Sequence, residues 1–270
     1  MEATSENNFQ EFYVKWQNKH NQHLYELTNA SKTQPQQPQS DSSLSGLVER
    51  VISHYEEYYR IKTKWAKTDV YLLLSPPWNS PLEDAFLWVG GWRPTTAFHL
   101  LYSKSGLQFQ AQFSNMLIGA KTGDLGDLSL DQLGRIDIFQ KGTIQEEREI
   151  TEKEAKQQDR VADKEMVGLS HDASSESTRP VGGTSLDIGS LVNSVLKPKE
   201  EGFQMLLQSA DELRMKTLKG VIDILSPIQA VHFLIAAAEL QLCLHEWGKD
   251  KQDEQLAAAS STTQLPAVTY

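Results

Sequence analysis

Residues 76–94 read Pro76-Pro77-Trp78-Asn79-Ser80-Pro81-Leu82-Glu83-Asp84-Ala85-Phe86-Leu87-Trp88-Val89-Gly90-Gly91-Trp92-Arg93-Pro94, and hold four of the ten prolines and three of the six tryptophans of the chain. Ser80-Pro81-Leu82-Glu83 is a capping box: the Ser80 hydroxyl accepts from the third helical amide, and Glu83 reaches back to the Ser80 amide. Pro81 falls at the first helical position, where its missing N–H costs nothing. Leu82, Ala85, Phe86 and Val89 recur at helical spacing, with Leu87 and Trp88 widening the apolar face. Gly90-Gly91 supplies the left-handed conformation that closes a helix, and Pro94 forbids its continuation. The stretch predicts a short buried helix that serves the scaffold rather than catalysis.

The same logic returns at Ser226-Pro227-Ile228-Gln229, with Gln in place of Glu. The helix started there is apolar nearly all round (Val231, Phe233, Leu234, Ile235, Ala236 to Ala238, Leu240, Leu242, Leu244), which marks a central helix. Gly248 is expected to close it, and the two Ser-Pro helices are expected to pack together. Between them lie further helices. Leu44 opens one with Leu47, Val48, Val51, Ile52, Tyr55, Tyr58, Tyr59 and Ile61 on one side, bending through Trp65 to Leu74 before Ser75-Pro76-Pro77. Thr95 or Thr96 caps a run through Leu101 that Gly106 breaks, and Leu107 to Leu117 is a weaker helix. Ser129-Leu130-Asp131-Gln132 is another capping box, followed by a charge-dominated helix to Glu165 whose i,i+4 pairs support it. From Glu200, residues Phe203, Leu206, Leu207, Ala210, Leu213, Thr217, Leu218, Val221, Ile222 and Leu225 share a core face. At the start, Phe9, Phe12, Tyr13, Trp16, Leu24 and Leu27 make an amphipathic helix with an aromatic first half.

The predicted fold is all-α: a multi-helix bundle over 9–248, with a linker at 29–43 and a disordered acidic and polar insertion at about 168–198. Residues 1–8 and 249–270 are read as loose ends. A formal charge of −10 over 270 residues argues against affinity for nucleic-acid backbone or anionic membrane. The single cysteine, Cys243, excludes an internal disulfide and fits a reducing compartment. The first residues lack the basic and apolar regions of a signal peptide, and the apolar run Phe233 to Leu244 is too short to span a bilayer. No nucleophile elbow, phosphate-cradling loop, dinucleotide fingerprint or metal spacing is present, so no enzyme class is indicated.

Phe12-Tyr13-Val14-Lys15-Trp16, Val51 to Lys62, Trp78 to Glu83 and Leu87 to Pro94 carry a resemblance, completed by Ala210 to Arg214, Leu225 to Ala230 and Leu244 to Gly248. With these the chain resembles the plant delay-of-germination family of seed dormancy regulators, whose domain also forms the C-terminal part of TGA-type bZIP transcription factors. The resemblance implies a helical, non-enzymatic regulator of nucleus and cytoplasm that works in transcription regulation and through protein partners. Those partners are type 2C protein phosphatases of abscisic-acid signalling, engaged by an aromatic N-terminal segment; TGA-type factors are a further partner that it suggests, and a homodimer is left open by the sequence. The matching positions are Tyr13, Val14, Lys15 and Trp16. The family also implies haem held by two histidines four apart on the last helix, of which only His245 is present, with Gln241 in the first position. The basic region with which TGA proteins contact DNA is missing: residues 1–44 hold only Lys15, Lys19 and Lys32.

Each candidate has a plainer reading. Phe9, Phe12, Tyr13 and Trp16, with Val14 and Lys15, form a partner-binding anchor of the kind aromatics supply, or pack onto the bundle as any amphipathic helix would. His245 ligates haem iron, or serves its helix end structurally, with His232 or His99 the remaining sources of a second ligand. Cys243, between Leu242 and Leu244, reads as inert packing. Arg93 is expected to pair with Glu83 or Asp84, and Glu49, Glu56, Glu57, Lys62, Lys64 and Lys67 to form a solvated face.

Overall fold

The helices start where their caps are. In the computed structural model, which describes residues 3–33, 41–111, 123–176 and 188–262, the Ser80, Ser129 and Ser226 boxes all form. In chain order the helices are α1 (Ala3–Thr33), α2 (Asp41–Ala66), α3 (Val70–Leu74), α4 (Pro81–Asp84), α5 (Thr96–Ala111), α6 (Leu130–Asp159), α7 (Lys164–Glu176), α8 (Ile188–Ile224) and α9 (Pro227–Thr262). Short 3-10 turns stand at Leu125–Asp127 and Arg160–Ala162. Among the described residues there is no strand, and the all-α bundle read from the sequence is the fold.

The consecutive helices α8 and α9 form its centre. α6, α2, α3, α5 and α7 pack on α8, while α1, α2, α4 and α5 pack on α9. The main core joins Trp16 and Leu27 of α1, Leu44 to Tyr55 of α2, Phe98 and Leu101 of α5, Ile136 of α6, Leu218 and Val221 of α8, and Val231 to Ile235 of α9. By length and composition alone α9 is apolar enough to cross a bilayer, which corrects the expectation drawn from its central run. Its residues Ala230, Val231, Phe233, Leu234, Ile235, Ala236 and Ala238 are instead buried by the other helices, as a central helix requires.

Helix extends further than composition indicated. α1 is helical from Ala3 and reaches Thr33, because Leu27 and Ala30 are buried there. α7 and the first turns of α8 occupy most of the insertion expected at 168–198, with Pro198 inside α8. α5 passes through Gly106 to Ala111. α9 continues through the expected tail to Thr262, where a run of Lys, Asp, Gln, Glu and Ala has good intrinsic helix propensity. Residues 34–40, 112–122, 177–187 and 263–270, on which the rest of these expectations fall, lie outside the described residues. Gly248 is no stop signal. It lets α4 approach, since a Cβ there would run into the Ser80 side chain.

The deciding stretch folds differently from its expectation after Glu83. α4 has only four residues, Phe86 is 64% exposed, and the chain then turns back in a tight hairpin. Trp88 and Gly91 exchange both backbone hydrogen bonds, at 2.8 and 3.2 Å, around Val89 (φ 44°) and Gly90 (φ 66°). Positive φ at both central residues is the signature of a type I′ turn, so Gly90 does supply a left-handed conformation, but to a turn rather than a helix end. A Cβ at Gly90 would meet the carbonyl oxygen of Leu73. α4 packs on α9 as expected, at the far end of α9 rather than near Ser226.

Candidate partner-binding site

A 3.6-residue period divides α1 into an inward and an outward side, and the predicted anchor residues divide with it. Phe9 is fully buried and stacks on Trp78 of the Pro-rich stretch, ring centroids 5.4 Å apart. Trp16 is 5% exposed, and its indole N–H donates to the His54 carbonyl at 3.2 Å. Phe12 and Tyr13 are half-buried, Phe12 against Tyr58 and Tyr13 against Trp78, Tyr58 and Trp16. Burial, with the Glu83 carboxylate nearby, pushes the Tyr13 hydroxyl up to about 12. Val14, 49% exposed, and Lys15 face outward. The aromatic residues thus hold α1 to α2 and to the Trp78 loop, and only Val14 and Lys15 of the six lie open to a partner.

His245 is half-buried on α9, where its Nδ1 lies 3.0 Å from Glu83 Oε1. The other oxygen of that carboxylate accepts from the Ser80 amide at 2.7 Å, so Glu83 caps α4 and ties it to α9 at once. The residues do not fit two-histidine haem ligation. Gln241 is exposed one turn away, α4 covers the His245 face, and His232 stands thirteen residues up the helix, roughly 20 Å distant at 1.5 Å per residue. His99 is exposed on α5. Cys243 is partly buried.

Two clusters escaped the sequence reading. Lys62, expected on a solvated face, is 2% exposed; Arg214 of α8 is fully buried, and Asp211 lies between them. Lys62 Nζ donates to Asp211 at 3.0 Å and to the Gly90 carbonyl at 2.8 Å. Arg214 donates to Asp211, to the carbonyls of Trp88 and Val89, and to that of Trp92 at 2.7 Å. The turn therefore aims its carbonyls inward at two buried cations that share one carboxylate. Burial, opposed by Asp211 and reinforced by Arg214, brings the Lys62 ammonium down to about 8. The signal was present in the spacing: Lys62 follows Tyr55, Tyr58 and Tyr59 by seven, four and three residues, and Arg214 follows Leu207 and Ala210 by seven and four. Arg93 joins neither Glu83 nor Asp84. It donates at 2.7 Å to the buried Glu147 of α6, which also accepts from the Thr95 amide, because the turn carries Arg93 across to α6. The second cluster is His20, His23 and His54, buried between α1 and α2. Among the described residues no group of three His, Cys, Asp or Glu is placed to hold a metal ion.

The buried charges Lys62, Asp211 and Arg214 hold α2, α8 and the Val89–Gly90 turn together. A family profile described as DOG1, seed dormancy control, matches residues 23–103. Protein DOG1-like 3 of Arabidopsis thaliana is 30% identical over 251 residues, 90% of this chain and 84% of that protein; Protein DOG1-like 2 of the same plant is 31% identical over 89% of the chain and 90% of its own length. Transcription factor TGA5 of Arabidopsis thaliana is 30% identical over 86% of this chain, which spans 61% of that factor. The chain belongs to the seed dormancy control family.

Proposed function

We propose that the protein is a non-enzymatic regulator in seed dormancy control that acts by binding type 2C protein phosphatases of abscisic-acid signalling through the first half of α1. The observation that supports this reading is the exposure of Val14 beside Lys15 on a helix otherwise locked by Phe9 and Trp16. Of the six positions in that segment these two are open to solvent, so on the closed bundle a partner would meet them first. The site acts in nucleus and cytoplasm, and the relation to TGA factors supports the nuclear part. A pulldown with purified type 2C phosphatases tests it. Wild type is expected to capture phosphatase, and Val14→Asp with Lys15→Glu to lose it while keeping its helical circular dichroism. No capture by wild type, or equal capture by the variant, sinks the assignment.

A second reading is favoured by the 86% of the chain that aligns with TGA5: association with TGA-type factors in transcription regulation. The bundle would then reach promoters through the partner's DNA-binding module. A gel shift that requires a TGA factor supports it; one given by the purified chain alone contradicts it.

A further inference from the structure

His20 and His23 stand one turn apart on α1, and His54 faces them from α2, its ring centroid 5.7 Å from that of His20 and 5.0 Å from that of His23. The three are 2%, 7% and 2% exposed. Trp16 lies nearly parallel to His20 and His54, with centroids 4.9 and 4.7 Å away. Five of the six ring nitrogens have no hydrogen-bond partner: His20 Nδ1 and both nitrogens of His23 and His54. The sixth, His20 Nε2, is 3.5 Å from the Tyr55 hydroxyl. Neutral imidazole already leaves an N–H donor and a ring lone pair without partners in such a seam, at a modest cost. Imidazolium adds a second N–H donor and a full charge, and burying these costs far more.

We propose that this triad is an acid-sensitive latch: protonation of the imidazoles parts α1 from α2 and uncovers the inner face of α1 that carries Phe12, Tyr13 and Trp16. The opening rests on the triad alone, and the face it uncovers is distinct from the outward Val14–Lys15 pair that carries the proposed partner contact. A cleft of about 390 Å³ lined by Lys19, His23, Glu49, Arg50, Ser53, His54 and Glu57 gives water and protons a way in. The charges facing the rings are Lys19 and Glu26 from α1 and Arg50 from α2, with Glu49 and Glu57 of α2 on the cleft wall. α9, the other helix packed on α1, supplies none of the charges that act on the three rings. Two ion pairs straddle the seam on its solvent side, Lys19–Glu57 at 3.8 Å and Arg50–Glu26 at 3.4 Å. Both are exposed enough to add little.

Burial lowers all three imidazoles, His20 to about 4 with help from His23, and His54 to about 3 with help from His20, His23 and Lys19 against the Trp16 hydrogen bond. His23 is lowered by burial, against the pull of Glu26. A histidine released from the seam protonates near 6.5, so below that pH the open form binds more protons than the closed one. The latch is closed above pH 6.5 and loosens as pH falls. From pH 7.5 to 5.5 each strongly depressed imidazole favours opening by about tenfold, and His20 and His54 together by about 100-fold.

Amide hydrogen exchange of the full chain at pH 7.5 and 5.5, corrected for intrinsic rates, tests the latch. The expected result is that the opening constant of α1 amides rises about 100-fold while amides of α6 and α8 keep their protection, and that His54→Phe cuts the rise to about tenfold. Unchanged α1 protection, or an equal loss of protection in every helix, overturns it. Imidazole carbon NMR of the unmodified protein provides a reading that needs no variant to fold. His20 and His54 should stay neutral below pH 6 for as long as α1 remains protected; protonation of both near pH 6.5 with α1 closed would refute the latch. Failure to bind phosphatase alters none of these readings, so the two proposals fail separately.

Discussion

Two of the polar clusters buried among the described residues are built in opposite ways. Beneath the Val89–Gly90 turn, Lys62 and Arg214 have their donors directed at Asp211 and at the turn's own carbonyls. Between α1 and α2, three histidines are buried almost as deeply with five ring nitrogens unpartnered. A cation stays charged on burial only when acceptors surround it, whereas a histidine can shed its proton near neutral pH and be buried without a charge. The first cluster therefore fixes one geometry, and the second leaves a seam whose strength depends on the solution.

The comparison breaks most readily at Asp211. Asp211→Ala leaves two cations buried against each other, and denaturant unfolding at pH 7 should show a loss of about 3–5 kcal/mol. A loss under 1 kcal/mol would mean that the turn carbonyls alone suffice. Next comes the seam: between pH 7.5 and 5.5, α1 should lose about 3 kcal/mol of protection against opening. Gly90→Ala, forced into positive φ against the Leu73 carbonyl, should cost about 2 kcal/mol by the same unfolding assay. A smaller contrast lies at alkaline pH. Lys62 titrates at about 8 in the fold but at 10.5 when unfolded, so the unfolded chain holds more protons in that window and stability must rise with pH. From pH 8.0 to 9.5 the gain should be about 1.5 kcal/mol, absent in Lys62→Met. Smallest of all is Val14→Asp, on the exposed side of α1, which should move the thermal midpoint by no more than about 0.5 kcal/mol allows.

How much of this was legible depends on the distance over which each feature is decided. The Ser80, Ser129 and Ser226 boxes are written within four residues each, and the core faces of α2 and α8 within a few turns, so sequence alone yields them. The hairpin at Trp88–Gly91 is not local. Leu82, Ala85, Phe86 and Val89 keep helical spacing, yet the chain leaves the helix because its carbonyls are claimed by Arg214, 126 residues away at Trp88, and by Lys62. Lys62 itself looked solvated because Glu56 and Glu57 precede it, although its phase matches the buried tyrosines of α2. Of the candidate partner residues, Trp16 was legible as aromatic but not as a neighbour of two histidines, since His54 stands 38 residues further on. His245 was legible as lacking its mate; that it braces Glu83 across 162 residues was not.

Those separations carry a consequence for the order in which the protein is made. On the ribosome Lys62 emerges 149 residues ahead of Asp211, a wait of roughly 7 to 30 s at ordinary elongation rates. Glu83 waits longer still for His245. Throughout that interval the tryptophan-rich turn has neither its guanidinium nor its carboxylate, and the nascent N-terminal half presents apolar helix faces with no helices to cover them. The bundle is therefore expected to close only after His245 has emerged, and chains that stall before residue 211 should be clients of the cell's holding chaperones.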